Sequence, residues 1–253
     1  MSFQTAWVIG QTTAAAAFDV TFNGSPVSIP AGSYYLFDVS TSPTQSLLDA
    51  LGFYFGRACD ITGAGKVKIS GPSFSIAWGT GTGLLLRDLL GFDADVPSTT
   101  EAIGAIQSPL LWSPTFKAQT YTPPQVDAYP VPDTQVVASL TAKTVDHVTN
   151  FTQERQEFSW DAVPIERVWP VSDGLGQTSF RYFWSLVLQA GERWKVYEVT
   201  EDPSSTTGVA YPLLAPLGPY KMRRVDPKWY TRGIPNADIV SPIAIEAVKV
   251  DEA

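Results

Sequence analysis

Alternation of apolar and polar residues predicts several short strands in the first part of the chain. Residues 18–22 alternate with period two and run directly into Asn23-Gly24, the dipeptide that most strongly indicates a two-residue hairpin turn. Residues 27–29 are predicted as the returning strand of that hairpin. Residues 3–9 alternate more weakly and are predicted as an opening strand, and residues 34–39 as another strand.

A helical spacing replaces the alternation after Ser42-Pro43, a pair typical of a helix N-cap followed by proline in the first turn. The next apolar residues recur at intervals of three and four, which predicts a helix that ends near residues 57–60. They are Leu47, Leu48, Leu51, Tyr54 and Phe55. A second short helix is predicted over residues 84–90, because Gly91 stands where a helix-ending glycine is expected.

The tripeptide Leu-Gly-Phe occurs at residues 51–53 and again at residues 90–92. The second copy fits a helix end, where the apolar residue after glycine commonly folds back on the last turn. The first copy falls inside the predicted helix, so we infer no internal duplication. Between the two helices, residues 66–70 and 74–78 are predicted to form a hairpin about Gly71-Pro72.

Prolines and aromatic residues are interspersed over residues 109–132, after a stretch at residues 93–100 that is predicted as a loop. A proline-rich segment is extended, stiff and poorly helical. We therefore predict an α+β domain over residues 1–108, a linker or arm over residues 109–133, and a β-rich domain over residues 134–253.

The pattern after residue 133 again alternates for the most part. Residues 134–144 and 152–160 are predicted as the two strands of a long hairpin. The further strands predicted in this half are residues 194–199, 220–225 and 239–250.

Residues 180–189 are apolar on every side, so periodicity does not separate helix from strand there. We predict a buried helix that ends at Gly191. The predicted fold class is thus mainly β with some α, an α+β fold. In that fold a strand–helix–hairpin–helix domain is followed by an antiparallel β domain with one buried helix.

The net charge of −8 over 253 residues argues against nucleic acid as a partner, because a negative surface repels phosphate backbones. The densest basic stretch, residues 221–232, contains Trp229 and Tyr230 and follows Tyr220. Its aromatic residues suit either base stacking or a subunit contact. We predict the subunit contact, and no direct sequence-specific binding of nucleic acid.

Cys59 is the one cysteine, which excludes an internal disulfide, and its apolar, helical context predicts a small buried side chain. The first ten residues lack the basic start and the long apolar run of a signal peptide. No stretch approaches the ~20 apolar residues of a membrane helix. We therefore expect synthesis in a cytoplasm and no membrane insertion.

Residues that usually carry catalysis are sparse. His147 is the one histidine, and Asp146 beside it would fall on the opposite face of a strand, which disfavours a Ser-His-Asp site. One cysteine and one histidine exclude the usual zinc ligand sets. The glycine-rich residues 79–83 lack the lysine and the spacing of a phosphate-binding loop.

Carboxylates are the remaining route to an enzyme, because glycosidases need only two of them. Glu154, Glu157 and Asp161 are spaced over a predicted strand and the turn after it, and eight tryptophans would suit a sugar-binding groove. The same aromatic residues serve equally as core or as interface anchors. We predict that the protein is not an enzyme and holds no cofactor and no metal.

A succession of motifs over most of the chain resembles virion proteins of tailed bacteriophages. It begins with Gly32-Ser33-Tyr34-Tyr35 and continues through the apolar helix, the hairpin of residues 66–78 and the helix of residues 84–92. Trp112-Ser113-Pro114, a long aromatic segment, a Tyr-Lys-Met-Arg-Arg strand and an apolar terminal strand follow. The succession is similar to siphophage tail-tip and baseplate components of the distal-tail or upper-baseplate kind.

The resemblance implies a non-enzymatic structural role in a phage tail or baseplate. The protein would assemble in the host cytoplasm as a ring or oligomer, located in the virion tail, with copies of itself and neighbouring tail proteins as partners. No catalytic or ligand residue is carried over.

Two alternatives stay open: a carbohydrate- or receptor-binding module of the virion, and a capsid decoration or minor capsid protein. Aromatic residues, which interfaces favour, supply the candidate contacts, with ordinary core as their alternative role. These candidates are Trp112, Phe116, Tyr121, Tyr129, Trp229 and Tyr230.

Overall fold

A computed structural model describes the protein over residues 3–38, 46–62, 65–113, 125–138, 144–160, 163–164, 168, 180–201, 211–212, 217–225, 239–240 and 243–250. Over these residues the chain is mainly β-sheet with a few short helices, which confirms the coarse fold class predicted from the sequence.

The secondary-structure elements of the described residues follow in chain order. The strands are β1 (Phe3–Ala14), β2 (Phe18–Phe22), β3 (Ser25–Ile29), β4 (Gly32–Tyr35), β5 (Ala58–Ile61), β6 (Val67–Ala77), β7 (Val96–Ile103), β8 (Leu111–Trp112), β9 (Gln125–Ala138), β10 (Thr144–Trp160), β11 (Val163–Pro164), β12 (Trp194–Glu201), β13 (Tyr211–Pro212), β14 (Leu217–Val225), β15 (Ile239–Val240) and β16 (Ile243–Lys249). The helices are α1 (Leu47–Phe55), α2 (Thr82–Leu90) and α3 (Phe180–Phe183), and α3 continues as a π-helical turn over Trp184–Leu188.

The larger sheet is antiparallel and has the strand order β4-β1-β12-β14-β16-β10-β9, with β8 beside β1 and β13 beside β12. β1 pairs with β12 from Phe3 opposite Glu201 to Gly10 opposite Trp194. Trp7, Val8 and Ile9 of β1 are buried, so both faces of this strand are covered, and its two edges pair with β12 and with β8. Strand pairing therefore crosses the predicted boundary at residues 109–133, which itself contributes β8 and the start of β9.

The smaller sheet has the order β3-β2-β6-β5, with β7 also paired to β6. Asn23 and Gly24, at φ 50° and 77°, form the predicted turn between β2 and β3. The hairpin predicted about Gly71-Pro72 is wrong, because β6 runs unbroken through both residues. Its register to β7 shifts between Ser70 and Phe74, so the two residues form a bulge.

β7 also corrects the loop predicted at residues 93–100, since the strand begins at Val96 and pairs along β6. Cys59 lies in strand β5 opposite Ile69, not in the helical context predicted for it. Both corrections have one cause. β6 pairs with β5 near its start, with β2 near its end, and with β7 along much of its length. The free energy of these distant pairings outweighs the local turn and loop preferences of the sequence.

α1 begins four residues later than predicted. Its N-cap is Ser46, whose Oγ accepts a hydrogen bond from the Asp49 N–H at 3.2 Å. The predicted cap, Ser42-Pro43, lies outside the described residues. α1 ends at Phe55, because Gly56 takes a left-handed conformation with φ 60°. α2 ends at Gly91 as predicted, with φ 77°.

The second half agrees with several strand predictions. β9 and β10 form a long hairpin as predicted, but its turn is shifted: Thr144 pairs with Ala138, so β10 already covers residues 145–151, where the prediction places the turn. β12 and β14 cover residues 194–199 and 220–225. Residues 180–188 are helical as predicted, although Tyr182 is exposed and the last five residues form a π-turn. The terminal strand predicted over residues 239–250 is divided into β15 and β16.

The core of the described residues is rich in aromatic side chains and runs continuously between the sheets and helices. Phe158 of β10, Trp194 of β12 and Tyr220 of β14 pack with ring centroids 4.9–5.2 Å apart. On β8, Trp112 packs against Phe180 of α3 at 4.8 Å. These contacts fix α3 and the larger sheet to one another.

Candidate functional site

An open groove of about 370 Å³ lies between the β3–β4 turn and α1. We call it the aromatic groove, and its lining is mainly apolar. The lining residues are Pro30, Ala31, Gly32, Tyr34, Ala50, Phe53 and Tyr54. Its volume falls at the lower end of the range of ligand-binding clefts.

Phe53 and Tyr54 reach the surface because the opposite face of α1 is anchored. Leu47, Leu51 and Phe55 are buried at helical spacing, and Phe55 stacks on Phe22 of β2 with ring centroids 4.6 Å apart. Phe53 is consequently 77% exposed, and its ring lies edge-on to Tyr54 at 5.2 Å. The helix therefore presents two aromatic side chains from a rigid base.

Tyr34 is the buried aromatic residue of the lining, and its polar end is satisfied within the fold. Its hydroxyl donates a hydrogen bond to the Pro30 carbonyl oxygen at 2.8 Å. Burial, followed by the neighbouring Tyr54, raises the pKa of Tyr34. The phenol is therefore neutral, and the groove offers rings and aliphatic surface without a fixed charge from this residue.

The candidate contact residues chosen from the sequence fall elsewhere. Trp112 is completely buried in β8 and belongs to the core, which is the alternative role considered for it. Tyr129 lies in β9 opposite Arg155. The other four lie outside the described residues: Phe116, Tyr121, Trp229 and Tyr230. Phe53 was missed, although an apolar residue outside the three-and-four spacing of α1 is itself a signal of surface function.

A second surface element is the outer part of the β9–β10 hairpin. β10 pairs with β9 from Thr144 opposite Ala138 to Ser159 opposite Gln125, whereas β16 pairs only with residues 155–160 of β10. Among the described strands, β9 is therefore the only neighbour of β10 over residues 144–154. We call this two-stranded part the hairpin extension; a ribbon of two strands alone is marginally stable in water.

The single histidine and the single cysteine of the chain lie in different sheets, in β10 and β5 respectively. His147 and Asp146 lie in the hairpin extension, opposite Gln135 and Val136. Burial raises the pKa of the Cys59 thiol to about 12, with Asp60 and Asp49 adding to the effect, so this thiol is protonated at neutral pH. No group of three or more potential metal ligands is present in the described part of the chain.

The glycine-rich residues 79–83 join β6 to α2 and include the first two residues of that helix. Gly79 and Gly81 have φ values of 67° and 63°, a backbone conformation that residues with a side chain rarely adopt. A Cβ on Gly83 would collide with the carbonyl oxygens of Trp78 and Asp19. The glycines thus serve a tight turn and a close helix–strand contact.

No protein-family model, curated protein or solved structure matches the chain. In the part that the structure describes, none of the helices has the length and apolar character needed to cross a bilayer.

Proposed function

We propose that the chain is a non-enzymatic structural component of a bacteriophage tail or baseplate, which assembles as a ring or oligomer with other tail proteins. The observation that supports assembly is Phe53, 77% exposed beside Tyr54 on a helix whose other face is fixed in the core. The phage setting rests on the motif succession that resembles siphophage tail-tip proteins.

The aromatic groove has the chemistry of a subunit contact. Completely burying a phenylalanine side chain contributes about 1.5–3 kcal/mol, and aromatic residues are enriched among the anchors of protein interfaces. Phe53 would act as such an anchor when a neighbouring subunit covers the groove. A heterologous contact of this kind closes into a ring when the rotation between subunits allows.

The hairpin extension supports the same role from another part of the molecule. A two-stranded ribbon gains stability when a third strand or another surface covers it. β9 is also the last strand of the described sheet, and an edge strand offers backbone groups to an adjoining chain. A neighbouring subunit would supply that cover.

The acidic composition fits the proposed setting as well. A net charge of −8 disfavours adhesion to DNA, which passes along a phage tail during infection. The finer architecture predicted from the sequence is part of this proposal. It comprises a strand–helix–hairpin–helix unit, with β5 and β6 as the hairpin in place of the one predicted about Gly71-Pro72, and an antiparallel β domain with one helix.

A carbohydrate- or receptor-binding module of the virion is the second candidate, favoured by the two tyrosines of the groove. Tyr34 and Tyr54 flank a cleft large enough for a sugar unit, and aromatic rings are the usual platforms for sugars. Glycan-array binding that is lost in Tyr54→Ala would support this candidate over a subunit contact.

A capsid decoration or minor capsid protein would instead appear on the shell when labelled particles are imaged.

Light scattering coupled to size exclusion tests the assembly role. We expect the wild type to form oligomers, and Phe53→Ser to weaken association about tenfold or more, since the loss of one buried aromatic anchor exceeds 1.4 kcal/mol. Leu85→Ser is the matched control, because Leu85 of α2 is 49% exposed and lies outside the groove. A wild type that stays monomeric at millimolar concentration, or equal weakening by both variants, would contradict the proposal.

A shortened hairpin tests the second contact element. Pro132 pairs with Thr152, so an Asn-Gly linker joining these two residues replaces the hairpin extension beyond them by a tight turn. We expect an unchanged thermal midpoint with reduced association. Full association of the shortened protein would remove the hairpin extension from the proposal and leave the groove in place.

A further inference from the structure

A buried ion pair joins two segments that are 157 residues apart in the sequence. The Lys195 Nζ atom lies 3.0 Å from Asp38 Oδ2, and the two side chains are 3% and 1% exposed. Tyr197, two residues further along β12, donates its hydroxyl to Asp38 Oδ1 at 3.1 Å. We call these three residues the buried polar cluster.

The backbone on both sides of the buried polar cluster is held by hydrogen bonds. Leu36, two residues before Asp38, donates its N–H to the Gly10 carbonyl oxygen at 3.3 Å and accepts from the Leu48 N–H at 3.2 Å. Lys195 and Tyr197 belong to β12, which pairs with β1 along eight residue pairs. The side chains of Asp38 and Lys195 are therefore positioned by backbone segments that are both held in place, the segment after β4 and strand β12.

Aromatic rings enclose the pair. The Lys195 Nζ atom lies 4.6 Å from the centroid of the Tyr35 ring, and the Phe37 ring lies 5.8 Å from that of Tyr197. Tyr35 and Tyr197 are themselves buried. Two charges in such surroundings carry a large desolvation cost, whereas a neutral amide that is hydrogen-bonded in the same place carries a much smaller one.

We propose that Lys195 and Asp38 condense to form an intramolecular isopeptide bond between Nζ and Cγ. A proton first passes from the ammonium to Asp38 Oδ2, which gives a neutral amine and a neutral acid. The amine attacks Cγ, a second proton moves from nitrogen to Oδ2, and the Cγ–Oδ2 bond breaks to release one water. The product keeps one N–H, and no oxidant, reductant or co-reactant is consumed.

Each member of the buried polar cluster has a defined part in this step. Holding an amine against a carboxyl in a fixed geometry gives effective molarities of about 10⁵–10⁸ M. The Tyr197 hydroxyl already points at Oδ1, the oxygen that gains negative charge when the amine adds to Cγ. The same hydroxyl then donates to the carbonyl of the finished amide, and exclusion of water protects that amide from hydrolysis.

The protein contains an internal comparison for this chemistry. Lys68 and Glu101 approach more closely, at 2.8 Å, but their side chains are 14% and 41% exposed. Water solvates both ions there and stabilises them as a salt bridge. Short distance alone is therefore insufficient, and we expect condensation at the buried pair only.

Intact mass spectrometry of the denatured protein tests the proposal. We expect the wild type to be lighter than its sequence by one water, and a proteolytic digest to contain a branched peptide joining Asp38 to Lys195. Asp38→Ala and Lys195→Arg should each restore the full mass. Lys68→Arg is the matched control and should retain the deficit.

Tyr197→Phe removes the hydroxyl and keeps the ring. At equal times after synthesis we expect a smaller fraction of this variant to carry the isopeptide bond. A wild type with the full sequence mass overturns the proposal and leaves an ion pair only. A deficit of one water without the branched peptide also overturns it, since dehydration of another residue would then be the source. Because the wild-type mass decides, the conclusion does not depend on whether a variant folds.

Discussion

The tripeptide Leu-Gly-Phe gives opposite results at its two positions. In α1 it occupies residues 51–53 and leaves Phe53 77% exposed at the aromatic groove. At the end of α2 it occupies residues 90–92 and buries Phe92, whose ring centroid lies 5.4 Å from that of Trp78. The leucine of the tripeptide is buried at both positions, whereas the phenylalanine is exposed in one place and part of the core in the other.

The difference comes from where each copy lies relative to the end of its helix. Gly91 is left-handed, its N–H donates to the Asp88 carbonyl at 3.1 Å, and the Phe92 N–H donates to the Arg87 carbonyl at 3.0 Å. This pattern of hydrogen bonds turns the chain back over the last turn. Gly52 lies inside α1, which ends at the left-handed Gly56. Phe53 is therefore an ordinary helical residue, and its side chain points away from the core.

Truncation of the two phenylalanines should give the largest contrast. Phe92→Ala is expected to lower the free energy of unfolding by about 3–5 kcal/mol, because it opens a cavity beside Trp78. Phe53→Ala is expected to change it by less than about 0.5 kcal/mol, because the ring is already in water. Urea unfolding of both variants makes the measurement, and equal losses would contradict the contrast.

Alanine substitutions at the two helix-ending glycines, Gly91 and Gly56, should lower the free energy of unfolding by amounts that differ less. Gly91→Ala is expected to cost about 3 kcal/mol, since the new Cβ combines backbone strain with a collision against the Ile106 carbonyl oxygen. Gly56→Ala is the matched control, because no atom lies within 4 Å of its Cβ position. It should cost only the strain, about 1–2 kcal/mol. A Gly56 loss as large as that at Gly91 would show that space is not the distinguishing factor.

The helix starts provide the smallest predicted effect. Ser46→Ala removes the hydroxyl that accepts from the Asp49 N–H, which should lower the free energy of unfolding by about 1 kcal/mol. α2 has Gly81 at the same position and no side-chain cap, so it offers no equivalent hydroxyl to remove. Thermal unfolding followed by circular dichroism measures the loss. An unchanged midpoint would mean that the Ser46 hydroxyl adds nothing to α1.

Local signals were enough to predict some of these features. Gly91 and the Asn23-Gly24 turn were predicted correctly because each depends on a left-handed backbone conformation that glycine and asparagine favour by themselves, whatever distant strands pair with. The start of α1 was misplaced because Ser42-Pro43 and Ser46 are both reasonable caps by composition. The hydrogen bond from the Asp49 N–H identifies Ser46 as the cap.

Features that depend on distant pairing were beyond the sequence. Gly71-Pro72 has the composition of a turn, but pairing of β6 with β7 converts it into a bulge. Nothing near Asp38 indicates Lys195, because the contact exists only once β12 lies beside β1. The exposure of Phe53 was accessible in principle, since its position off the apolar face of α1 follows from helical periodicity.

The position of β1 has a consequence for synthesis of the protein. The strands of the smaller sheet all lie within residues 18–103 and emerge from the ribosome close together, whereas β1 meets β12 only after residue 201 has been made. Pairing over such a separation is slow and carries a large loop-closure entropy. One edge of this apolar strand therefore stays without its β12 partner for most of translation, although β4 and β8 can pair along part of the other edge earlier. An unpaired edge of this kind favours aggregation of the nascent chain.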